Sequence, residues 1–278
     1  MVKLGIFAVP AADPETTVRT IRAADRSGLD LVGVQDHPYQ RSFFDTWTLL
    51  SYVAGVTERV RLVPDVINLP LRLPTLLAKS AASLDLLSGG RVELGVGAGA
   101  FWDAIAAMGG PRRTPRESVD ALEEAIAIMR AFWSGERSVS FDGDHYQVRG
   151  AKPGPAPAHP IGIWVGAYGP RMLRLTGRLG DGWLPSLGDR YMRPEDALRM
   201  HAAVDEGAKA VGRDPSQIER AVNVMSLDGS VDRWADALAR IASELRFSAI
   251  LVGVPAERPV EFVRRLGEDV APRVHALA

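Results

Sequence analysis

The chain has 278 residues, of which 46% are hydrophobic and 24% are charged, and it contains no cysteine. Its 33 Lys and Arg residues nearly balance its 34 Asp and Glu residues, which leaves a formal net charge of −1. The composition excludes disulfides, thiolate nucleophiles and Cys-ligated metal centres, and the balanced charge argues for a small-molecule substrate over nucleic acid or a membrane surface as the main partner.

Short apolar segments rich in β-branched residues alternate with longer segments of helical period along the chain. The predicted strands are Leu4 to Val9, Leu31 to Asp36, Arg61 to Ile67, Val92 to Gly97, Ile161 to Ala167, Gly182 to Pro185, Ile218 to Ser226 and Ala249 to Val254. The predicted helices are Pro14 to Ser27, Thr46 to Thr57, Pro74 to Leu87, Arg116 to Trp133, Pro170 to Arg178, Pro194 to Val211, Val231 to Glu244 and Arg258 to Glu268. This alternation implies parallel strands joined by right-handed crossovers and favours an α/β fold of the (β/α)8 TIM barrel type. A doubly wound open sheet is the alternative.

Two stretches interrupt the alternation. Between Ser138 and Pro160, the segment Val139 to Val148 is typical of a β-hairpin insertion that turns at Asp142-Gly143. Leu187 to Arg193 follows the weak sixth strand and is predicted to be a short lid loop, because loops after barrel strands form the active-site mouth. No Gly- and Ser-rich linker divides the chain, so residues 1–278 are predicted to form a single domain. Without signal-peptide features or a run of about 18 apolar residues, the protein is expected to be cytoplasmic.

Polar residues at the ends of the second and third strands are the first candidates for chemistry. His37 follows Asp36, and a histidine beside a carboxylate can act as a general acid or base, or donate a hydrogen bond to a ligand. The alternative is a loop histidine with no role. Asp65 and Asn68 emerge from an apolar strand, where they are costly to bury unpaired, so they should face the mouth. Alternatively, they cap local loop amides.

Glycines follow the fourth and fifth strands. Gly95 to Ala100 matches the dinucleotide-binding fingerprint in letters, but no strong helix follows at once, which disfavours an NAD-dependent Rossmann enzyme. Glycines here would instead let a flat ligand and its phosphate tail approach the backbone. Gly169 and Pro170 begin a predicted helix whose N-terminal amides could bind a phosphate, with Arg171 adding charge. The alternative is an ordinary turn into the helix.

A search for metal and nucleophile motifs finds none of the common ones. The histidines are His37, His145, His159, His201 and His275, and none is paired at a metal-ligand spacing. His-Glu-x-x-His and Gly-x-Ser-x-Gly are also missing. No metal site is therefore predicted, and barrel metallohydrolases are disfavoured.

Three segments in this order resemble the bacterial luciferase-like oxidoreductase family, and the resemblance spans most of the chain. The segments are Leu87 to Gly99, Val165 to Leu173 and Gly177 to Trp183. Members of this family are (β/α)8 barrels that hold a flavin or the deazaflavin coenzyme F420. The resemblance therefore implies an organic redox cofactor.

The resemblance also implies roles for individual residues. Asp36 and His37 match a pair that deazaflavin-using members carry after the second strand, which implies a catalytic role with His37 near the reactive edge of the ring. Asp65 and Val66 match a non-proline cis peptide that lies against the ring face. The remaining residues that would bind the cofactor are Gly97, Ala98, Gly99, Gly166, Ala167, Tyr168, Gly169 and Arg171. One departure is Ala100, which stands where the family's sugar-phosphate dehydrogenases carry a catalytic glutamate.

We therefore expect hydride transfer between coenzyme F420 and a small organic substrate. The candidate walls of the substrate pocket, each of which is alternatively a packing residue, are Tyr39, Phe43, Phe44, Phe101 and Trp102. An FMN-dependent monooxygenase and a non-catalytic flavin- or F420-binding protein are the two alternatives within the family. A homodimer is a further expectation, because the apolar helix faces of barrels often pair.

Overall fold

The structure is a computed structural model that describes residues 1–277. Its strands are β1 (Lys3–Ala8), β2 (Leu31–Val34), β3 (Arg61–Pro64), β4 (Ile67–Asn68), β5 (Leu94–Gly97), β6 (Val139–Asp142), β7 (Gln147–Ala151), β8 (Ile163–Val165), β9 (Gly182–Trp183), β10 (Ser186–Leu187), β11 (Glu219–Val224) and β12 (Ala249–Gly253). Its α-helices are α1 (Pro14–Arg26), α2 (Thr46–Ala54), α3 (Pro74–Ser88), α4 (Trp102–Ala107), α5 (Pro115–Trp133), α6 (Pro170–Leu179), α7 (Ala197–Lys209), α8 (Val231–Ser243), α9 (Pro259–Arg265) and α10 (Ala271–Leu277).

The parallel strands close into a ring. Neighbours follow the order β3, β2, β1, β12, β11, β9, β8, β5 and β4, and every pair is parallel. The predicted third strand is split into β3, which pairs with β2, and β4, which pairs with β5. A bridge between Leu62 and Val92 completes the ring. The predicted sixth strand, Gly182 to Pro185, is shortened to β9, and the separate short strand β10 follows it; both pair with β11. The (β/α)8 barrel is confirmed, and the open-sheet alternative is wrong.

Side chains from the strands fill the inside of the barrel. Strands β2 and β12 are buried along their whole length, because the barrel interior covers one face and the helices cover the other. The buried interior cluster consists of Phe7, Leu31, Val63, Trp164, Leu184, Ala221, Ala249 and Leu251. A barrel packed in this way has no central channel, so ligands must bind at one end.

Helix starts follow the sequence signals closely. Asp13 caps α1 by accepting a hydrogen bond from the Thr16 amide, and Pro14 occupies the first turn. Thr114 and Glu117 form a capping box at the start of α5. At the other end of the chain, a π-helical turn over Leu266–Val270 joins α9 to α10, so the last helix continues beyond the predicted end.

The hairpin insertion lies between α5 and β8. Strands β6 and β7 are antiparallel, as predicted, but their connecting loop spans residues 143–146. The Glu124 carboxylate of α5 accepts hydrogen bonds from the amides of Asp144, His145 and Tyr146, which fixes the hairpin against that helix. Among residues 1–277, no helix combines the length and the apolar composition that a membrane crossing requires.

Candidate active site

A cavity of about 420 Å³ opens at the carboxyl ends of the barrel strands. Most of the predicted site residues line it, namely Asp36, His37, Asp65, Val66, Gly97, Ala98, Gly99, Gly166, Tyr168 and Gly169. A larger groove of about 700 Å³ lies between α1 and α9, but it is on the outside of the barrel and is lined by ion-paired side chains. We therefore take the cavity at the mouth as the candidate site, because barrel enzymes place their chemistry there.

One wall of the cavity is built from backbone and one valine. The peptide bond between Asp65 and Val66 is cis, as the family resemblance implies. A Cβ atom on Gly97 would lie 2.8 Å from Val66 Cγ2, and one on Gly166 would lie 3.1 Å from the same atom. Gly99 has a φ of +98°, and a Cβ there would lie 2.7 Å from Pro70 Cγ. A side chain at Gly97 or Gly99 would collide with these neighbours and one at Gly166 would crowd Val66, so the glycines keep this wall free of further side chains and a flat ligand can approach it closely.

Asp36 lines the cavity, but its carboxylate binds groups other than His37. Oδ2 accepts hydrogen bonds from the Asn68 amide at 2.9 Å and from Arg72 Nε at 3.3 Å. Oδ1 accepts from Arg72 Nη2 at 3.0 Å, and the same nitrogen donates to Asp45 at 2.7 Å. The Asp36 side chain is fully buried. The Asp36 carboxylate is thus held by Arg72 and the Asn68 amide, and its catalytic role stays a prediction.

His37 forms an aromatic group with Tyr39 and Phe101. Its Nδ1 lies 2.6 Å from the Tyr39 hydroxyl oxygen. The Phe101 ring meets the His37 ring edge-on, with the centroids 5.4 Å apart. Burial lowers the pKa of His37 below 6.5, and the charge of Asp36 opposes this shift only in part. Burial also raises the pKa of Tyr39 to about 12. At neutral pH the imidazole is therefore neutral and the phenol keeps its proton.

Asp65 and Asn223 form a buried polar pair in the cavity. Asp65 Oδ1 accepts a hydrogen bond from Asn223 Nδ2 at 2.9 Å. Asp65 Oδ2, Asn68 Oδ1 and Asn223 Oδ1 are buried and have no partner among the residues that the structure describes. Burial raises the pKa of Asp65 to about 7, although the bond from Asn223 opposes the shift. Such unpaired polar atoms are costly unless a ligand satisfies them.

The lining of the cavity also includes two stacked tyrosines. Tyr168 and Tyr191 have ring centroids 6.1 Å apart and nearly parallel planes. The Tyr168 hydroxyl accepts a hydrogen bond from the Ser186 amide at 2.8 Å, and burial raises the pKa of Tyr168. Tyr191 belongs to the loop from Leu187 to Arg193, so the predicted lid loop does border the cavity.

Several sequence-predicted residues lie elsewhere. Ala167 is buried, and its carbonyl oxygen accepts a hydrogen bond from Trp183 Nε1 at 2.9 Å, which makes Trp183 a core residue. The Arg171 guanidinium pairs with Asp120 and donates to the Arg116 carbonyl at 3.1 Å, on the outer side of α6. Neither Ala167 nor Arg171 lines the cavity.

Of the aromatic residues that were predicted to wall the substrate pocket, only some line the cavity. Tyr39 and Phe101 line the cavity, whereas Phe43, Phe44 and Trp102 do not. The cavity is also lined by Ser186, Tyr191 and Asn223, which were not predicted from the sequence. Of these three residues, only Asn223 could have been recognised in the sequence, because it is a polar residue within the apolar segment of β11. Within residues 1–277, no three His, Asp or Glu side chains are arranged to hold a metal ion.

Residues 2–264 match the luciferase-like monooxygenase family. The chain belongs to this family. It is 34% identical over 222 residues to an F420-dependent glucose-6-phosphate dehydrogenase of Gordonia bronchialis, an alignment that covers 76% of this chain and 64% of the relative. It is 36% identical over 263 residues to the F420-dependent hydroxymycolic acid dehydrogenase of Mycobacterium tuberculosis, covering 92% and 69% of the two chains.

A solved structure supports the barrel fold of this luciferase-like protein. The coenzyme F420-dependent tetrahydromethanopterin reductase from Methanopyrus kandleri superposes with a TM-score of 0.83 at 19% identity, over 98% of this chain and 99% of that chain. The family resemblance is thus confirmed. The NAD-dependent Rossmann alternative is wrong, because the glycine segment belongs to a barrel strand and its loop, and α4 begins only at Trp102.

Proposed function

We propose that this protein is a coenzyme F420-dependent oxidoreductase that transfers a hydride between the deazaflavin and a small organic substrate. The observation that carries the proposal is the glycine-lined wall beside Val66, at the mouth of a luciferase-like barrel. The F420-dependent relatives support the choice of cofactor. When bound, a deazaflavin supplies a ring carbon that accepts or donates a hydride.

The residues present fit such a cofactor. Gly97 and Gly166 make room for the Val66 side chain, which lines the cavity that a flat ring would occupy. The unpartnered oxygens of Asp65, Asn68 and Asn223 lie in side chains that line the same cavity. These oxygens would meet the polar edge of a ring system, which removes the cost of leaving them unpaired.

A second group of residues would hold the cofactor's tail. Ala98, Gly99, Tyr168 and Gly169 line the cavity near the N-terminus of α6, whose backbone amides attract a phosphate. Arg171 lies in the first turn of that helix and would reach a phosphate only by leaving Asp120. We therefore propose that the backbone amides provide the main phosphate contacts.

His37 is the group that we propose for proton transfer at the substrate. Its Nδ1 is occupied by Tyr39, whereas Nε2 makes no hydrogen bond within residues 1–277 and is not buried. Nε2 is therefore the atom that can donate a proton to a substrate oxygen or accept one from it. The apolar Phe101 beside it limits the access of water to the ring.

Fluorescence titration with F420 and with FMN tests this proposal. We expect micromolar or tighter binding of F420, and tight binding of FMN alone would favour the monooxygenase alternative. His37→Ala should bind F420 but lose turnover with a panel of alcohols and their carbonyl products, by about 100-fold or more. If the wild-type protein binds F420 but turns over no compound of the panel, a non-catalytic binding protein is favoured.

Gly97→Val tests whether the glycine-lined wall is part of the cofactor site. Because its side chain would collide with Val66, we expect loss of F420 binding with the fold intact by circular dichroism. Unchanged affinity would remove the observation on which the proposed cofactor site rests.

We also propose a single-domain protein that forms a cytoplasmic homodimer. Apolar side chains exposed on and beside α2 and α3 support a second copy as the partner. The most exposed of them are Tyr52, Leu73, Leu76 and Leu87. A surface of this kind favours association with another protein surface.

A further inference from the structure

The pair formed by His37 and Tyr39 has a feature that the proposed function leaves unexplained. The Tyr39 hydroxyl contacts Nδ1, the imidazole nitrogen opposite to the one available to a substrate. Both side chains line the cavity that opens at the mouth of the barrel, and Tyr39 is only partly buried, so its side chain borders the solvent that enters the cavity. Substrate, His37, Tyr39 and solvent can therefore form one continuous chain of hydrogen bonds.

The protonation states of the pair create a chemical problem for His37 acting alone. Its imidazole is neutral at neutral pH, and a neutral imidazole that gives up its Nε2 proton becomes a strongly basic imidazolate. The free-energy cost of forming an imidazolate is avoided if Nδ1 gains a proton at the same time. Ala100 lines the same cavity and offers no proton, whereas the Tyr39 hydroxyl is already 2.6 Å from Nδ1.

Other charged groups do not take this role. The titratable or charged groups around the cavity, apart from the pair itself, are Asp36, Asp65, Arg72, Tyr168 and Tyr191. Asp36 is bound by Arg72 and by the Asn68 amide, and Asp65 is bound by Asn223. Of these groups, only the charge of Asp36 shifts the pKa of His37. Tyr39 is the one hydrogen-bond partner of the His37 imidazole within residues 1–277.

We propose that Tyr39 is a proton-relay residue that acts through His37. When a carbonyl substrate is reduced, the Nε2 proton moves to the substrate oxygen, the Tyr39 hydroxyl proton moves to Nδ1, and water reprotonates the Tyr39 oxygen. The hydride comes from the reduced deazaflavin of the proposed function, on which this inference rests. When an alcohol is oxidised, each proton moves in reverse. The imidazole changes tautomer and stays neutral.

The first test uses the cofactor-free protein. Nitrogen-15 NMR of histidine-labelled protein reports the hydrogen bonding of each imidazole nitrogen, and His37→Gln assigns the signal. We expect the Nδ1 resonance of His37 to move in Tyr39→Phe. It should stay in place in the control Tyr52→Phe, which changes an exposed tyrosine on the outer helix α2. An unmoved resonance in Tyr39→Phe would overturn the proposal.

The second test separates a relay from a merely structural contact. Carbonyl reduction by reduced F420 is followed against pH, with a carbonyl compound from the panel that wild type turns over. Tyr39→Phe should lose about 100-fold in kcat at about pH 8 and recover towards wild type in acid, where the imidazolium carries its own second proton. F420 affinity should be unchanged. An equal loss of kcat at every pH would overturn the relay. If wild type turns over no compound of the panel, the proposed function is overturned, and the NMR result still decides whether Tyr39 is hydrogen-bonded to His37 Nδ1.

Discussion

Asp65 is a carboxyl group whose burial sets its chemistry. Its pKa rises from 3.8 to about 7, because the Asn223 amide offsets only part of the cost of burying a charge. The folded protein therefore holds this proton more tightly than the unfolded chain does. Between about pH 4 and about pH 7, this residue makes the free energy of unfolding fall as pH rises, by at most about 1.4 kcal/mol per pH unit. Above that window the contribution is constant.

Asp65→Asn tests this linkage. The amide keeps the shape of the carboxyl group and cannot ionise, so the variant should match wild type near pH 4 and become more stable by several kcal/mol at about pH 8. Urea denaturation at a series of pH values measures the difference. Asp228→Asn, at an exposed carboxyl group, is the control for the substitution itself. A difference that does not grow with pH would show that Asp65 is already ionised in the folded protein.

Residue-scale features of the site were predicted unevenly from the sequence. His37, Asp65 and the glycines were found because strand ends in a barrel converge on one mouth. The bond between Asn223 and Asp65 joins residues 158 positions apart, so only the register of the closed barrel determines it. The orientation of Arg171 towards Asp120 depends in the same way on how α5 and α6 pack.

At the scale of elements, Arg72 connects three segments of the chain. It lies before α3 and pairs with Asp36, which follows β2, and with Asp45, which caps α2. Asp36 has no exposed side-chain surface, so loss of its partner leaves a buried carboxylate with only the Asn68 amide. Such a group is costly to keep in the folded state.

Arg72→Ala should therefore lower the free energy of unfolding by about 3 kcal/mol. The control is Arg273→Ala, which breaks an exposed ion pair with Asp232 and should cost less than about 1 kcal/mol. Both values come from urea denaturation at neutral pH. Equal losses in the two variants would mean that the Asp36 pair contributes no more than a surface contact.

Most elements were predictable because local signals mark them. Helices α1, α2, α3, α6 and α8 begin at the predicted residues, three of them at a proline. Helix α4 was missed, since its six residues have no side-chain cap and follow a glycine segment. The split of the third strand and the π-helical turn were also missed, because both depend on packing between elements distant in sequence.

At the scale of the whole molecule, the exposed leucines beside α2 and α3 bear on assembly. Leu76 and Leu87 are 60% and 84% exposed. If they form the homodimer interface, Leu76→Glu combined with Leu87→Glu should halve the mass in light scattering, with circular dichroism unchanged. Leu198→Glu, on α7 and 48% exposed, should leave the mass as it is. A monomeric wild type would refute the dimer.

The glycine-lined wall has a consequence for how new activities could arise on this barrel. Its contacts come from backbone atoms and Val66, and a side chain gained there would obstruct it. Other parts of the cavity lining are replaceable side chains such as Phe101, Tyr191 and Met225. If the proposed cofactor lies against the glycine-lined wall, substrate preference can diversify at those side chains, in nature or by engineering, while the wall stays constant.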